Sequence, residues 1–236
     1  MIRGASVIGR EHVRLAKNNQ DAWASAEHRG SQVVVVCDGC SSEKSSEVGA
    51  QLGARWLANW VAGAVGTGEG ARIDEPLALR ATGAMAEWVR RVAKSFEGDF
   101  DQAVSQYLLF TFLCAVTHQG RSLVFGVGDG VILIDDQLIG LDSGPENAPN
   151  YLAYRVLWGR GASRVATLAP QVHFVGEARS RLVVMTDGFE SVAEKVPELV
   201  SKVSANPLGL QRKLNVFSEV ERLNDDATVA ALFLEA

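Results

Sequence analysis

Cysteine is scarce in this sequence. Only three of the 236 residues are cysteines, an odd number that is too small for a disulfide framework. Cys37 and Cys40 form a C-x-x-C pair, but no second pair is present to complete a structural zinc site. We therefore expect free thiols, a reducing compartment and a cytoplasmic protein.

Long apolar runs are also missing. No stretch approaches the roughly 18 consecutive apolar residues that a membrane-spanning helix needs. The first ten residues, MIRGASVIGR, lack the apolar core of a secretory signal. We expect neither a membrane span nor a secretory leader.

The sequence has no excess of basic residues. It contains 23 Lys and Arg against 28 Asp and Glu, which gives a net charge of −5 and no basic stripe. This balance argues against nucleic acid and anionic membranes as partners. The hydrophobic content of 47%, without a linker or internal repeat, predicts a single domain with a sizeable core over residues 1–236.

A strand ending in Asp38 is the feature around which the rest of the sequence is arranged. Four consecutive valines at residues 33–36 predict a strand that is covered on both faces, because a half-exposed strand alternates with polar residues. The tight turn at residues 29–30 predicts that it pairs antiparallel with a strand at residues 21–28. Asp38-Gly39 ends the apolar strand, and a helical pattern follows.

The same arrangement recurs once, and a mirrored version, with the acids before the strand, follows later. A buried strand at residues 182–186 ends at Asp187, and Asp225 and Asp226 precede a closing strand. If these strands are neighbours, their carboxylates converge at one end of a sheet and require protons or cations. A hard divalent metal with oxygen ligands is the simplest solution. The alternatives are a helix cap for Asp38 or Asp187 and ordinary loop acids for the Asp225 pair.

Asp129-Gly130 has a different context. It lies between apparent strands at residues 122–127 and 131–134, with no helix nearby. Asp-Gly is a common turn dipeptide in hairpins. The pattern therefore predicts a hairpin turn here.

The order of elements predicts the fold class. Strands come first, then two long helices, then more strands, two further helices and a final strand, with a polar connector after the second helix. The helices are predicted at residues 44–64, 74–96, 190–205 and 207–222, and the connector at residues 97–105. This order indicates an α+β fold, a four-layer α/β/β/α sandwich of two mostly antiparallel sheets flanked by helices.

Five separated motifs resemble, in order, those of the metal-dependent protein serine/threonine phosphatases of the type 2C class. They are NQDA at residues 19–22, VVVVCDG at 33–39, VFGVGDG at 124–130, VVMTDGF at 183–189 and NDDATV at 224–229. The match spans almost the whole chain. On these motifs the chain is identified as a short, single-domain member of bacterial type, and the resemblance implies the same four-layer sandwich.

The resemblance also implies a set of metal ligands. Asp38 would bridge two ions, and the carbonyl of Gly39 would bind one of them. Asp187 and Asp225 would hold the other ion, and Asp21 would lie among the ligands or just behind them. Because all these ligands are oxygen atoms, the metals would be Mg²⁺ or Mn²⁺.

The activity implied is hydrolysis of phosphoserine and phosphothreonine by a water that two metal ions activate. The partner would be a phosphoprotein, the target of a serine/threonine kinase, and we expect a monomer. A third, weaker ion would need another acid, for which Asp99 and Asp101 are candidates. Two alternatives stay open: a pseudophosphatase that binds phosphoproteins as a scaffold, and a phosphatase of small phosphate esters.

The sequence departs from the family pattern in several places. Gln20 replaces an acidic residue, and Arg14, the candidate catalytic residue that would clamp the phosphate, lies further upstream than usual. Cys40 stands where some members have a histidine proposed to protonate the leaving group, and His12 is a candidate substitute. The segment at residues 142–158, which the resemblance associates with substrate choice, is also atypical.

Overall fold

The protein contains two five-stranded antiparallel sheets. This computed structural model describes residues 1–66, 72–142, 144, 149–158, 169–201, 203 and 205–234. The strands are β1 Ile2–Val7, β2 Ala22–His28, β3 Ser31–Gly39, β4 Phe110–His118, β5 Arg121–Val127, β6 Gly130–Ile134, β7 Gln137–Leu141, β8 Gln171–Glu177, β9 Arg181–Met185 and β10 Ala227–Phe233. One sheet has the order β1-β10-β9-β6-β7 and the other the order β2-β3-β4-β5-β8.

Helices cover the outer face of each sheet. They are α1 Arg10–Arg14, α2 Glu47–Gly66, α3 Glu75–Ala93, α4 Phe100–Tyr107, α5 Tyr154–Trp158, a 3-10 helix at Asp187–Lys195, α6 Val196–Leu199 and α7 Gly209–Glu221. One apolar cluster joins α2 and α3 to the β2–β8 sheet, and another joins α6 and α7 to the β1–β7 sheet. A third fills the space between the sheets. The predicted α+β four-layer sandwich is confirmed.

The four valines of β3 show why this strand is apolar throughout. Val33 and Val35 belong to the cluster under the helices, whereas Val34 and Val36 belong to the layer between the sheets. Successive side chains of a strand point to opposite faces, so a strand in the middle of a sandwich needs apolar residues at every position. Each fully buried valine contributes roughly 1.5–3 kcal/mol.

The predicted hairpin at Asp129-Gly130 is wrong. β5 pairs with β4 and β8, whereas β6 belongs to the other sheet and pairs with β7 and β9. The chain crosses between the sheets through Gly128 and Gly130, whose φ angles are +106° and +125°. The Asp-Gly signal correctly indicates a backbone that needs glycine, but the conformation serves a crossing instead of a turn.

The long helices lie close to their predicted positions. Asp74 caps α3 by accepting a hydrogen bond from the Leu77 amide, at 3.1 Å. The predicted connector at residues 97–105 is instead largely helical, because Asp99 caps α4 through the Gln102 amide. The predicted helix at 190–205 is instead the 3-10 helix at Asp187–Lys195 followed by the short α6, and its residues 202 and 204 lie outside the described residues. Among the residues that the structure describes, no helix combines the length and apolar character needed to cross a bilayer.

Candidate metal centre

Five acidic residues meet where strands of both sheets end. Asp38 lies near the end of β3, Asp187 follows β9, and Asp129 lies on the crossing from β5 to β6. The other two, Asp21 and Asp225, precede β2 and β10. Because the sheets are stacked face to face, these strand ends meet at one end of the sandwich.

Asp38 and Asp187 form the centre of this cluster. Their carboxyl groups are in hydrogen-bond contact. Burial and the neighbouring charges of Asp187 and Asp21 raise the pKa of Asp38 well above its usual range. Burial raises the pKa of Asp187 to about 6. Two carboxyl groups this close must share a proton or a cation.

Asp21 lies beside this pair and is almost completely buried. Its Oδ2 accepts a hydrogen bond from the Thr186 hydroxyl at 2.6 Å, and its backbone amide donates to the Asn19 side chain at 2.9 Å. Burial, followed by the charge of Asp226, raises its pKa well above the usual value. Thr186 immediately precedes Asp187, so this hydrogen bond ties the motif at residues 19–22 to the end of β9.

The two acids before β10 have different surroundings. Asp226 is buried. It accepts hydrogen bonds from the backbone amides of Gly9 and Gln20, at 2.7 and 2.6 Å. Its Oδ2 lies 2.8 Å from Nδ1 of His12. Asp225 is exposed, and its Oδ1 accepts a hydrogen bond from the Asp226 amide. Asp226 therefore holds chain segments together, while the side chain of Asp225 is exposed; its role as a metal ligand stays a prediction.

The glycines of the Asp-Gly motifs allow the chain segments to approach closely. A Cβ atom on Gly188 would lie 2.0 Å from the Asp226 carbonyl oxygen, and one on Gly39 would lie 2.6 Å from the Gln20 carbonyl oxygen. Both contacts are shorter than any real Cβ atom tolerates. Glycine at these two positions is required so that the acids before β10 and β2 can reach Asp187 and Asp38.

Asp129 is a site residue that the sequence analysis missed. Its side chain is buried, and its charge contributes to raising the pKa of both Asp38 and Asp187. The signal that could have identified it is the resemblance of VFGVGDG to a family motif. Asp99 caps α4, and Asp101 is exposed in the first turn of that helix. The structure therefore does not bring these two candidates for a third ion into the cluster.

The donor set of the cluster fits a hard divalent cation. Every charge-bearing group in it is a carboxylate, and for Asp21, Asp38 and Asp187 burial and mutual repulsion raise the pKa. A cation would replace the proton shared by Asp38 and Asp187 and would relieve this repulsion. Within the described ranges, no group of three His, Cys, Asp or Glu side chains is already arranged to hold a metal ion.

The structure places Arg14 on the surface of α1. Its side chain is 73% exposed and pairs with Glu11 at 3.0 Å, so the described contacts do not bring it to the carboxylates. Lys17, three residues later, is half-buried and donates a hydrogen bond to the carbonyl oxygen of Ser41, two residues beyond Gly39. The role of Arg14 as phosphate clamp stays a prediction, and Lys17 is a second basic group to test.

Gln20 has a structural role that an acidic residue could not fill. Its side-chain amide donates hydrogen bonds to the Glu43 carbonyl oxygen and the Ser46 hydroxyl, at 3.0 and 2.8 Å. A carboxylate could not donate either bond. Gln20 thus fastens the loop after Gly39 to the motif at residues 19–22.

This arrangement, a cluster of strand-end carboxylates in an α/β/β/α sandwich, occurs in a fold with many solved relatives. The serine/threonine phosphatase Stp1 from Staphylococcus aureus aligns with a TM-score of 0.69 at 14% identity, over 100% of this chain and 95% of that one. A bacterial serine phosphatase aligns with a TM-score of 0.67 at 16% identity, over 100% and 98%. The Mycobacterium tuberculosis serine/threonine phosphatase PstP/Ppp aligns with a TM-score of 0.59 at 15% identity, over 100% and 99%. At these identities the likeness shows the fold.

The family follows from the sequence. The model of protein phosphatase 2C matches residues 8–226, and the chain belongs to that family. None of the curated protein sequences compared with the chain is significantly similar to it. The resemblance predicted from the five motifs is confirmed, and so is the enzyme class, protein serine/threonine phosphatase.

Proposed function

We propose that this phosphatase hydrolyses phosphoserine and phosphothreonine in proteins and depends on Mg²⁺ or Mn²⁺. The observation that carries this proposal is the hydrogen-bonded carboxyl pair of Asp38 and Asp187, surrounded by further acids. Such a pair is costly without a cation. Family membership supports the reaction class.

The proposed ligands are Asp38, the carbonyl of Gly39, Asp187 and Asp225, with Asp21 beside them. Divalent ions held there would neutralise the phosphate charge and lower the pKa of a bound water, so that the water is nucleophilic at neutral pH. The protein residues orient this site. Thr186 fixes the Asp21 carboxylate through its hydroxyl, at 2.6 Å.

Asp129 joins this set as the proposed ligand of a further, weaker ion. It is buried, and its charge reaches the Asp38–Asp187 pair. We expect Asp129→Asn to weaken Mn²⁺ binding at this third position and to lower activity less than Asp38→Asn does. Isothermal titration of each variant with Mn²⁺ separates the two effects.

The deciding experiment measures phosphate release from a phosphothreonine peptide with Mn²⁺ and with EDTA. We expect metal-dependent release by the wild type and a loss of several orders of magnitude in Asp38→Asn. Asp101→Asn, the same change at an exposed acid outside the cluster, should keep full activity. A folded Asp38→Asn protein that retains its activity would disprove the bridging role of Asp38.

The same experiment addresses the alternatives. A folded protein that binds Mn²⁺ but releases no phosphate would favour the scaffold function, and a preference for small phosphate esters over the peptide would favour that substrate class. We expect the natural substrate to be a phosphoprotein made by a serine/threonine kinase and the protein to act as a monomer. Size-exclusion chromatography with light scattering tests the oligomeric state.

A further inference from the structure

A groove of about 710 Å³ lies on the helical layer that covers the β1–β7 sheet. One wall is formed by the end of the 3-10 helix together with α6, and the other wall is formed by α7. Its apolar lining includes Leu199 and Phe217, which belong to the cluster under these helices, and also Val216 and Val220. The groove is separate from the carboxylate cluster, because none of the proposed metal ligands lines it.

Helix α7 carries more apolar surface than the sheet covers. Leu210 and Leu214 are buried against the core, whereas Val216 and Val220 are 65% and 69% exposed. Residues four positions apart lie on the same face of a helix, so the two valines form one apolar wall. A single exposed apolar residue is ordinary. Two of them beside a groove that already has buried apolar lining indicate a surface that binds another chain.

The charges around the groove favour an acidic partner. Lys195 and Glu221 form an ion pair with each other. Lys213 donates hydrogen bonds from Nζ to two backbone carbonyl oxygens at and just after the end of α6, which leaves its charge unbalanced. Among the described residues, neither Lys213 nor the exposed Arg212 has a carboxylate in ion-pair contact, and Glu198 is the only unpaired acid of the lining. The groove is therefore locally basic on a chain of net charge −5.

Both walls of the groove lead to proposed metal ligands. The 3-10 helix begins at Asp187 and ends at Lys195, and a rise of about 2.0 Å per residue places these two residues within about 16 Å of each other. Helix α7 ends at Glu221, and the four residues from there to Asp225 span at most about 14 Å. The Lys195–Glu221 pair thus lies close enough to the carboxylate cluster for one substrate chain to occupy both places.

We propose that this groove docks an acidic, apolar segment of the phosphoprotein substrate. Apolar side chains of the segment pack on Val216 and Val220, and its carboxylates pair with Arg212 and Lys213. Docking raises the local concentration of the phosphorylated residue at the metal site, so that it lowers KM and leaves kcat unchanged. This inference rests on the proposed function and adds to it a site of substrate recognition away from the phosphate.

The test uses a phosphothreonine peptide joined through a Gly-Ser linker to a helical segment with leucine on one face and glutamate on the other. A linker of about eight residues has a root-mean-square length of about 16 Å, which matches the span to the groove. We expect KM for this peptide to be about tenfold lower than KM for the same phosphopeptide without the segment. A version with lysine in place of glutamate should lose most of this gain.

Two variants assign the gain to the groove. Val216→Asp places a charge on the apolar wall, and Arg212→Glu reverses an exposed charge. Each should raise KM for the extended peptide about tenfold and leave its kcat, and both constants for the short peptide, as in the wild type. Leu79→Asp, at a position on α3 that is 57% exposed and outside the groove, is the matched control and should change nothing.

Each result has a distinct meaning. Equal KM values for the extended and short peptides, an equal gain with the lysine version, or a gain that survives both variants would overturn the inference and leave the proposed function intact. A dimer in light scattering that Val216→Asp dissociates would identify a second copy of the chain as the occupant, which also overturns it. A wild-type protein that hydrolyses neither peptide with Mn²⁺ would overturn the proposed function and, with it, docking of a substrate.

Discussion

Nδ1 of His12 lies 2.8 Å from Oδ2 of Asp226, and both side chains are buried. Asp226 also accepts hydrogen bonds from the backbone amides of Gly9 and Gln20. The pair therefore joins the start of α1 and the motif at residues 19–22 to the chain before β10, which is distant from both in sequence. Asp225, the proposed metal ligand, is the neighbour of this junction.

Removing His12 should destabilise the protein strongly. His12→Ala leaves the buried Asp226 without its side-chain partner, and breaking a buried pair in this way costs about 3 kcal/mol. We expect urea denaturation to show this loss in the free energy of unfolding, and a second change, Asp226→Asn, to recover part of it because a neutral amide tolerates burial better. Glu11→Ala, on the exposed side of α1, is the control. A loss no larger than that of Glu11→Ala would contradict the prediction.

Stability of the metal-free protein should fall as pH rises. Burial raises the pKa of Asp187 from 3.8 to about 6, so the folded state binds more protons than the unfolded state between these values. The stabilisation that the bound proton provides is complete below pH 4 and is lost as pH rises through 6. For Asp187 alone this loss is on the order of 3 kcal/mol. Asp38 and Asp21, whose pKa values are also raised, act in the same direction.

Urea denaturation at several pH values, with EDTA present, measures this slope. Asp187→Asn should flatten it, and Mn²⁺ should remove most of the loss in the wild type by taking the place of the proton. Asp101→Asn, at an exposed position, should leave the slope as it is. The prediction fails if Asp187→Asn and Asp101→Asn give the same slope.

Replacing Gln20 with the acidic residue of the family pattern should destabilise the metal-free protein. Gln20→Glu loses the amide that donates to Glu43 and Ser46, and it adds a buried negative charge beside Asp21. We expect a loss of about 2 kcal/mol in the free energy of unfolding and tighter Mn²⁺ binding. Gln32→Glu, which removes the amide that the half-buried Gln32 donates to Glu27, is the matched control. If Gln20→Glu and Gln32→Glu had equal effects on stability and on metal affinity, the prediction would be wrong.

Arg14 and Lys17 can be compared directly as phosphate ligands. The pair of Arg14 with Glu11 is exposed and worth less than about 1 kcal/mol, so a phosphate can displace Glu11 at little cost. We expect Arg14→Ala to raise KM for the phosphopeptide about tenfold. Arg91→Ala, which removes a similarly exposed arginine paired with Glu87 on α3, should have no effect. If Lys17→Ala raises KM and Arg14→Ala does not, the phosphate ligand is Lys17.

Much of the metal centre could be predicted from the sequence, because Asp38 and Asp187 each end an apolar strand and begin a polar or helical segment. Asp129 could not be separated from a hairpin turn by pattern alone. The local sequence of a turn and of a crossing between sheets is the same, and only the pairing of β6 with β9 distinguishes them. That pairing depends on residues about 50 positions apart along the chain.

The packing of Tyr151 and Cys40 against one apolar cluster could not be predicted from the sequence either. Residues 151–175 have no clear helical or strand period, so the sequence predicts no orientation for their side chains. The two residues are far apart in the chain, and only the folded structure brings both to the cluster under α2 and α3. Likewise, the sequence does not reveal the hydrogen bonds of Gln20, because its partners Glu43 and Ser46 come beside it only in the folded chain.

The layer between the sheets sets the distance between the acids of one sheet and those of the other. Asp38 extends from the β2–β8 sheet and Asp187 from the β1–β7 sheet, and Val34, Val36, Val184 and Ala230 separate the two. A larger or smaller side chain in this layer would shift one sheet against the other, and the shift would appear at the carboxylates. Conservative changes in this layer, far from any ligand, should therefore alter metal affinity. Selection on this enzyme should then extend to apolar residues that never touch substrate.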